Sequence, residues 1–261
     1  MSDAINARVY CEIKDSIAHL FFDHPQARNA MTQAMYEQLR TICLELAQNP
    51  SVRVAILRGI GGKSFVSGSD IAQFQSFQGG ADGVQYERMI DHYLGPLQQL
   101  PIPTIAVIDG LAVGGGLAIA ALCDFRIATP TAKFGVPIAR TLGNTLSPSN
   151  IAWLTAHLGV AITKRMLLLA ELISAQELLT QGFVYQTGES EDLERMSMDL
   201  AKQLAALAPI TQKASKLIMA RVIGHSLPNC DDLITEVYGS ADFKEGVTAF
   251  LSGRPPNWQG K

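Results

Sequence analysis

Two runs of small residues carry the strongest chemical signal in the sequence. In Asp109-Gly110-Leu111-Ala112-Val113-Gly114-Gly115-Gly116, three successive glycines stand where an apolar run gives way to a small-residue helical segment. Glycine has no Cβ to hold a ligand off the backbone. A helix that begins there presents N–H groups without intrahelical acceptors, at the positive end of its dipole. An anionic oxygen fits such a turn, although close packing of a helix on a strand asks for the same residues. The second run, Ser64-Phe65-Val66-Ser67-Gly68-Ser69-Asp70, follows an apolar segment ending at Arg58-Gly59. Alone it reads as an ordinary loop rich in glycine and serine. As a pair the runs say more, because two backbone donors from two strand-to-helix turns make an oxyanion hole.

The elements around these turns follow from periodicity and punctuation. Val9–Ile13 and Ile17–Phe22 alternate as strands, and Lys14-Asp15-Ser16 between them predicts a hairpin. Thr32 can cap a helix running to about Gln48, with Met35, Leu39, Ile42 and Leu46 on one face, stopped by Asn49-Pro50. Val54–Gly59, Thr104–Ile108 and Phe125–Ala128 read as strands. Residues 61–70 read as loop, and the run from Asp109 is expected to lead straight from strand into helix through Leu122. Strand, loop and helix thus recur at intervals of about 50 residues, an α/β pattern of similar layers. Beyond Asp192 the pattern is helical only: Leu193–Leu207, Thr211–Ile223, and a last helix including Val237–Leu251. The division expected is a core over 1–195 and a helical region over 196–261.

Composition narrows the class. The 261 residues, 48% hydrophobic and 17% charged, can bury a sizeable core. A net charge of −3 and the lack of a dense Lys/Arg stripe offer nothing to DNA. Cys11, Cys43, Cys123 and Cys230 are far apart, and no histidine is spaced with a cysteine or acid as a metal site would require, so no metal is expected. The N-terminus lacks the basic and apolar regions of a signal peptide, and the longest apolar stretch, near residues 111–123, is short for a membrane span. A cytoplasmic protein with no membrane partner is expected.

Six blocks in order, HPxxRNAM, SFVSGSDI, PTIAVIDGLAVGGG, CDFRIAT, AKFGVP and the tail DFKEGVTAFLSGRPPNW, resemble the crotonase (enoyl-CoA hydratase/isomerase) superfamily, roughly from Arg8 to Trp258. The resemblance implies a crotonase-like spiral of strand-strand-helix repeats followed by a helical trimerisation region, hence a homotrimer or a dimer of trimers. It implies an acyl-CoA thioester substrate, with coenzyme A entering as part of that substrate and no permanently bound cofactor. It implies that the N–H groups of Ser69 and Gly115 form the oxyanion hole for the thioester enolate. Arg28, Ala30 and the backbone around Ser67, Asp70 and Ile71 would contact the CoA nucleotide, with Phe250 and Arg254 of the tail completing that site, either in their own chain or in a neighbouring subunit.

Two positions depart from the family's hydratases, which carry two glutamates that handle water and protons. By the resemblance these positions are Ala118 and Ile138 here, and neither side chain can transfer a proton. The following stretch, Ala139 to Asn150, offers hydroxyls, amides and Arg140. Three readings follow. The reaction needs the hole alone, as in decarboxylation of a malonyl-type CoA, with Arg140 or Asn144 holding the substrate carboxylate. Or an acid or base comes from elsewhere, with Asp70, Glu87, His92, Tyr93 and Asp124 as candidates. Or the chain is a non-catalytic acyl-CoA-binding or RNA-binding homologue.

Overall fold

The computed structural model of the chain describes residues 7–261; most of the N-terminal run whose composition argues against a signal peptide lies outside them. Strands β1 (Arg8–Lys14) and β2 (Ile17–Asp23) form the expected hairpin. Its turn residues Asp15 and Ser16 both take positive φ (50° and 63°), as a two-residue hairpin turn demands. Helix α1 (Gln33–Gln48) starts where the Thr32 hydroxyl accepts the Met35 N–H at 3.2 Å. Met35, Leu39, Cys43 and Leu46 bury one stripe of it.

A repeating unit follows. Strand β3 (Val54–Gly59) leads into β4 (Ser64–Val66) and then α2 (Gly80–Gln98). Strand β5 (Thr104–Ile108) leads into β6 (Leu111–Val113) and α3 (Gly115–Leu122). Strand β7 (Phe125–Ala128) leads into β8 (Lys133–Gly135), the short α4 (Ile138–Thr141) and α5 (Pro148–Leu168), which kinks at Gly159. Then come β9 (Ile173–Ser174), α6 (Ala175–Thr180) and β10 (Gln186–Thr187). The first strand of each unit joins a six-stranded sheet in the order β1-β2-β3-β5-β7-β10, parallel except at β1. The second joins a four-stranded sheet in the order β4-β6-β8-β9. This is the strand-strand-helix spiral, and it corrects two expectations: the loop over 61–70 contains β4, and β6 lies between the β5 strand and the glycine helix. Three-residue strands are too short to display a period of two.

The chain closes with α7 (Leu193–Ala205), α8 (Pro209–Ile223), α9 (Asp231–Gly239) and α10 (Ala241–Leu251). The single terminal helix expected over Val237–Leu251 is two helices, because Ser240 leaves helical geometry (φ −68°, ψ 155°) and its hydroxyl caps α10 at the Phe243 N–H. The residue-195 division falls within α7, whose Leu193, Met196, Leu200 and Leu204 cover Ile17, Val54, Ile56, Ile105 and Ile127 on one face of the large sheet. Each such side chain, fully buried, contributes roughly 1.5–3 kcal/mol. Lys216 of α8 reaches the same sheet's end, donating to Asp124 at 2.7 Å, while Asp124 also accepts the Thr104 N–H. Helices α2 and α9 touch through glycine: a Cβ on Gly80 would lie 2.1 Å from the Thr235 carbonyl oxygen, and one on Gly83 would lie 2.1 Å from the Tyr238 ring. Among the described residues, no helix is long and apolar enough to cross a membrane.

Candidate active site

Parallel pairing of β4 with β6, Ser64 against Leu111, brings the two small-residue turns side by side at the ends of their strands. Each turn contains a glycine at positive φ, Gly68 (117°) and Gly114 (55°), a region other residues rarely enter. The turns touch: a Cβ on Gly114 would stand 3.6 Å from the Gly68 Cα. The next residues are Ser69 and Gly115. Met31 donates to the Gly68 carbonyl and accepts the Asp70 N–H, which stitches the first turn down and leaves the Ser69 N–H turned away from that ladder. Gly115 opens α3, so its N–H has no intrahelical acceptor. Two donors without a partner among the described residues, one of them at the N-terminus of an apolar helix, can hold an oxygen on which negative charge develops.

Both residues line a cavity of about 580 Å³. Of the other expected site residues, Ala118, Ile138 and Asn144 line it, and so do Arg28, Ala30, Ser67, Asp70, Ile71 and Phe250. Two expected residues are not brought in. Arg140 is exposed on α4 and does not line the cavity. At about 100° per residue, a side chain two positions from the inward-facing Ile138 lies on the other side of the helix. Arg254 lies outside this chain's own cavity, its guanidinium held in two contacts by Glu245 at 2.6 and 2.8 Å. The loop carrying Arg28 is braced by buried Asn29, whose amide donates to the Ile60 and Ser64 carbonyls and accepts the His24 N–H.

Several side chains in the wall went unread. Tyr36 of α1 and Tyr86 of α2 both reach the Ser69 hydroxyl, at 2.9 and 2.8 Å. Burial pushes the Tyr36 phenol up to about 12 and Tyr86 well above its ordinary value, so both are neutral hydroxyls that fix the Ser69 side chain. Tyr36 also occupies the space beside Gly115, where an added Cβ would lie 2.3 Å from the phenol oxygen. Their signal in the sequence was only two tyrosines on helix faces.

Of the five candidates for an outside acid or base, only Asp70 and Glu87 reach the cavity. Asp70 caps a 3-10 turn by accepting the Ala72 N–H at 3.0 Å. Asp124 belongs to the Lys216 clamp, His92 is exposed, and Tyr93 accepts from Gln33. Glu87 is 3% exposed. Its carboxyl accepts the Tyr238 hydroxyl at 2.6 Å and the Ser147 N–H at 2.8 Å. Burial raises it to about 7 against the pull of those two donors, and the nearby Asp91 charge adds to the rise. Asn144 donates to the Tyr238 oxygen at 3.3 Å, and its own amide oxygen is buried without a partner among the described residues.

The Enoyl-CoA hydratase/isomerase family model matches residues 12–261. The chain is similar to the (E)-benzylidenesuccinyl-CoA hydratase of Thauera aromatica, 31% identical over 97% of this chain and 99% of the relative. It is similar to the methylmalonyl-CoA decarboxylase of Escherichia coli (strain K12), 30% identical over 94% of this chain and 95% of the relative. Among solved structures, a methylmalonyl-CoA decarboxylase complexed with 2S-carboxypropyl-CoA superposes with a TM-score of 0.88 at 28% identity, covering 100% of both chains.

Proposed function

Since the chain belongs to the enoyl-CoA hydratase/isomerase family of the crotonase superfamily, whose members process acyl-CoA thioesters, we propose that it decarboxylates a malonyl-type acyl-CoA in an oxyanion hole formed by the Ser69 and Gly115 N–H groups. One observation carries this reading: the paired donors open into a cavity where Ala118 and Ile138 offer only hydrocarbon. Hydration of an enoyl-CoA needs a base for water and an acid for the carbon next to the carbonyl. Carbon dioxide loss needs neither to begin. The bond between that carbon and the carboxylate breaks, its electron pair forms the enolate, and the charge gathers on the thioester oxygen between the two donors. The carbon then takes up one proton. The likeness to a methylmalonyl-CoA decarboxylase supports the choice of reaction.

Asn144, with one end of its amide unpartnered, is suited to orient the acyl end, and Arg28 with the turn over 67–71 to hold the CoA end at the mouth. The exposed apolar side chains Ile210, Ile218, Met219 and Val222 on α8 support self-association through the C-terminal helices, as a homotrimer or a dimer of trimers.

The test is turnover of methylmalonyl-CoA and crotonyl-CoA, followed by mass spectrometry. Carbon dioxide loss from the first without hydration of the second is expected; rapid hydration of crotonyl-CoA with no decarboxylation overturns the reading. Gly115→Pro removes one donor. Made in a Tyr36→Phe background, which takes away the hydroxyl its ring would strike, it should lower turnover ~100- to 1000-fold relative to Tyr36→Phe alone.

A further inference from the structure

We propose that Glu87 is the acid–base group that exchanges a proton with the carbon adjacent to the thioester carbonyl, an assignment that rests on the enolate reading above. Among the described residues two carboxyl groups line the cavity, and Asp70 is committed to a cap beside the CoA end. Glu87 is walled in and held from two sides, by Tyr238 of α9 and the Ser147 backbone. It follows Tyr86 directly, and Tyr86 bonds Ser69, so the same turn of α2 touches one oxyanion donor and carries the carboxyl. Opposite, Ala118 presents a single methyl one turn after Gly115, which leaves the cavity continuous from the donors to α2. The carboxyl missing from α3 is supplied by the neighbouring helix.

In the decarboxylation, the enolate carbon takes the Glu87 proton, and the carboxylate left behind is reprotonated from water at the cavity mouth. With an acyl-CoA that carries no extra carboxylate the step runs in reverse: the Glu87 carboxylate removes a proton from the same carbon and returns one from solvent. The titratable groups facing Glu87 are Asp91 on its own helix, Tyr36 on α1, Tyr86, and Tyr238 on α9. Of these, Asp91 alone carries charge at neutral pH. It shares Ser147 with Glu87, accepting that residue's hydroxyl at 2.7 Å.

The experiment is deuterium uptake into propionyl-CoA by the full-length protein in D₂O, read by mass spectrometry from pH 5 to 9. Wild-type exchange should rise with an inflection near 7 as the carboxylate forms. Glu87→Gln should lower exchange at least ~100-fold with the Kd for propionyl-CoA unchanged, and Glu87→Asp should restore part of it. Tyr238→Phe removes a donor that favours the carboxylate, so the inflection should move upward; a purely structural role for Glu87 would leave it in place. Wild-type-level exchange in Glu87→Gln, or no exchange by the wild type, overturns the assignment. If Glu87→Gln retains exchange while the Gly115→Pro variant loses it, only Glu87 is misassigned. If the Gly115→Pro variant retains exchange, the enolate reading itself fails.

Discussion

Glu87 should leave a signature in stability that needs no substrate. Burial raises its carboxyl from an ordinary 4.5 to about 7, even with the Tyr238 hydroxyl and the Ser147 N–H favouring the charged form. Between those values the native protein holds a proton that the unfolded chain has released. Stability therefore falls by about 1.4 kcal/mol per pH unit across the interval. The contribution is fully present below pH 4.5, is lost as pH approaches 7, and is constant above. The total is about 3 kcal/mol. Glutamine keeps the shape and cannot ionise, so the difference in unfolding free energy, wild type minus Glu87→Gln, should fall by that amount from about pH 4.5 to about 8. Urea unfolding of both proteins at one concentration measures it, and subtraction cancels the titrating groups that are not coupled to Glu87. A difference that stays flat to within about 1 kcal/mol would refute the reasoning, since a carboxyl that ionises in the cavity without cost is not desolvated there.

Other consequences are local. Gly116→Ala places a Cβ 2.0 Å from the Val66 carbonyl oxygen and 2.7 Å from its carbon, so α3 must back away from β4; a loss of about 1–3 kcal/mol in urea unfolding is expected, with turnover reduced because Gly115 moves too. Lys216→Met strands Asp124, which is partly buried with a side-chain exposure of 23%, and should cost about 2 kcal/mol, below the range for a fully buried pair. Arg254→Ala breaks an exposed pair with Glu245 and should cost under about 1 kcal/mol in urea unfolding.

What could be read in advance was what depends on neighbours in the chain. The Thr32 cap, the strands at Val54, Thr104 and Phe125, and the two glycine turns declare themselves within a few residues. So do the absences at Ala118 and Ile138, once the blocks give the register. Contacts between distant residues were not legible. Strands β4 and β6 exist because Ser64 meets Leu111, far along the chain, and neither has the length to show alternation. Glu87 looked like one helical acid among several, and its character comes from burial under parts of the chain distant in sequence, among them Tyr238, 151 residues on. Arg140 was placed by nearness in sequence to Ile138, which α4 converts into opposite faces.

The contact of α2 with α9 bears on how this chain can be recombined. Gly80 and Gly83 admit the backbone of Thr235 and the ring of Tyr238 at distances no side chain would permit, and Tyr238 in turn sets the Glu87 carboxyl. The final segment is therefore a moulded part of the chamber wall and not an interchangeable assembly module. A chimera that joined the chain up to α7 to the tail of a relative would inherit a misfitted α9 unless the glycines of α2 and the tyrosine of α9 were exchanged as a unit.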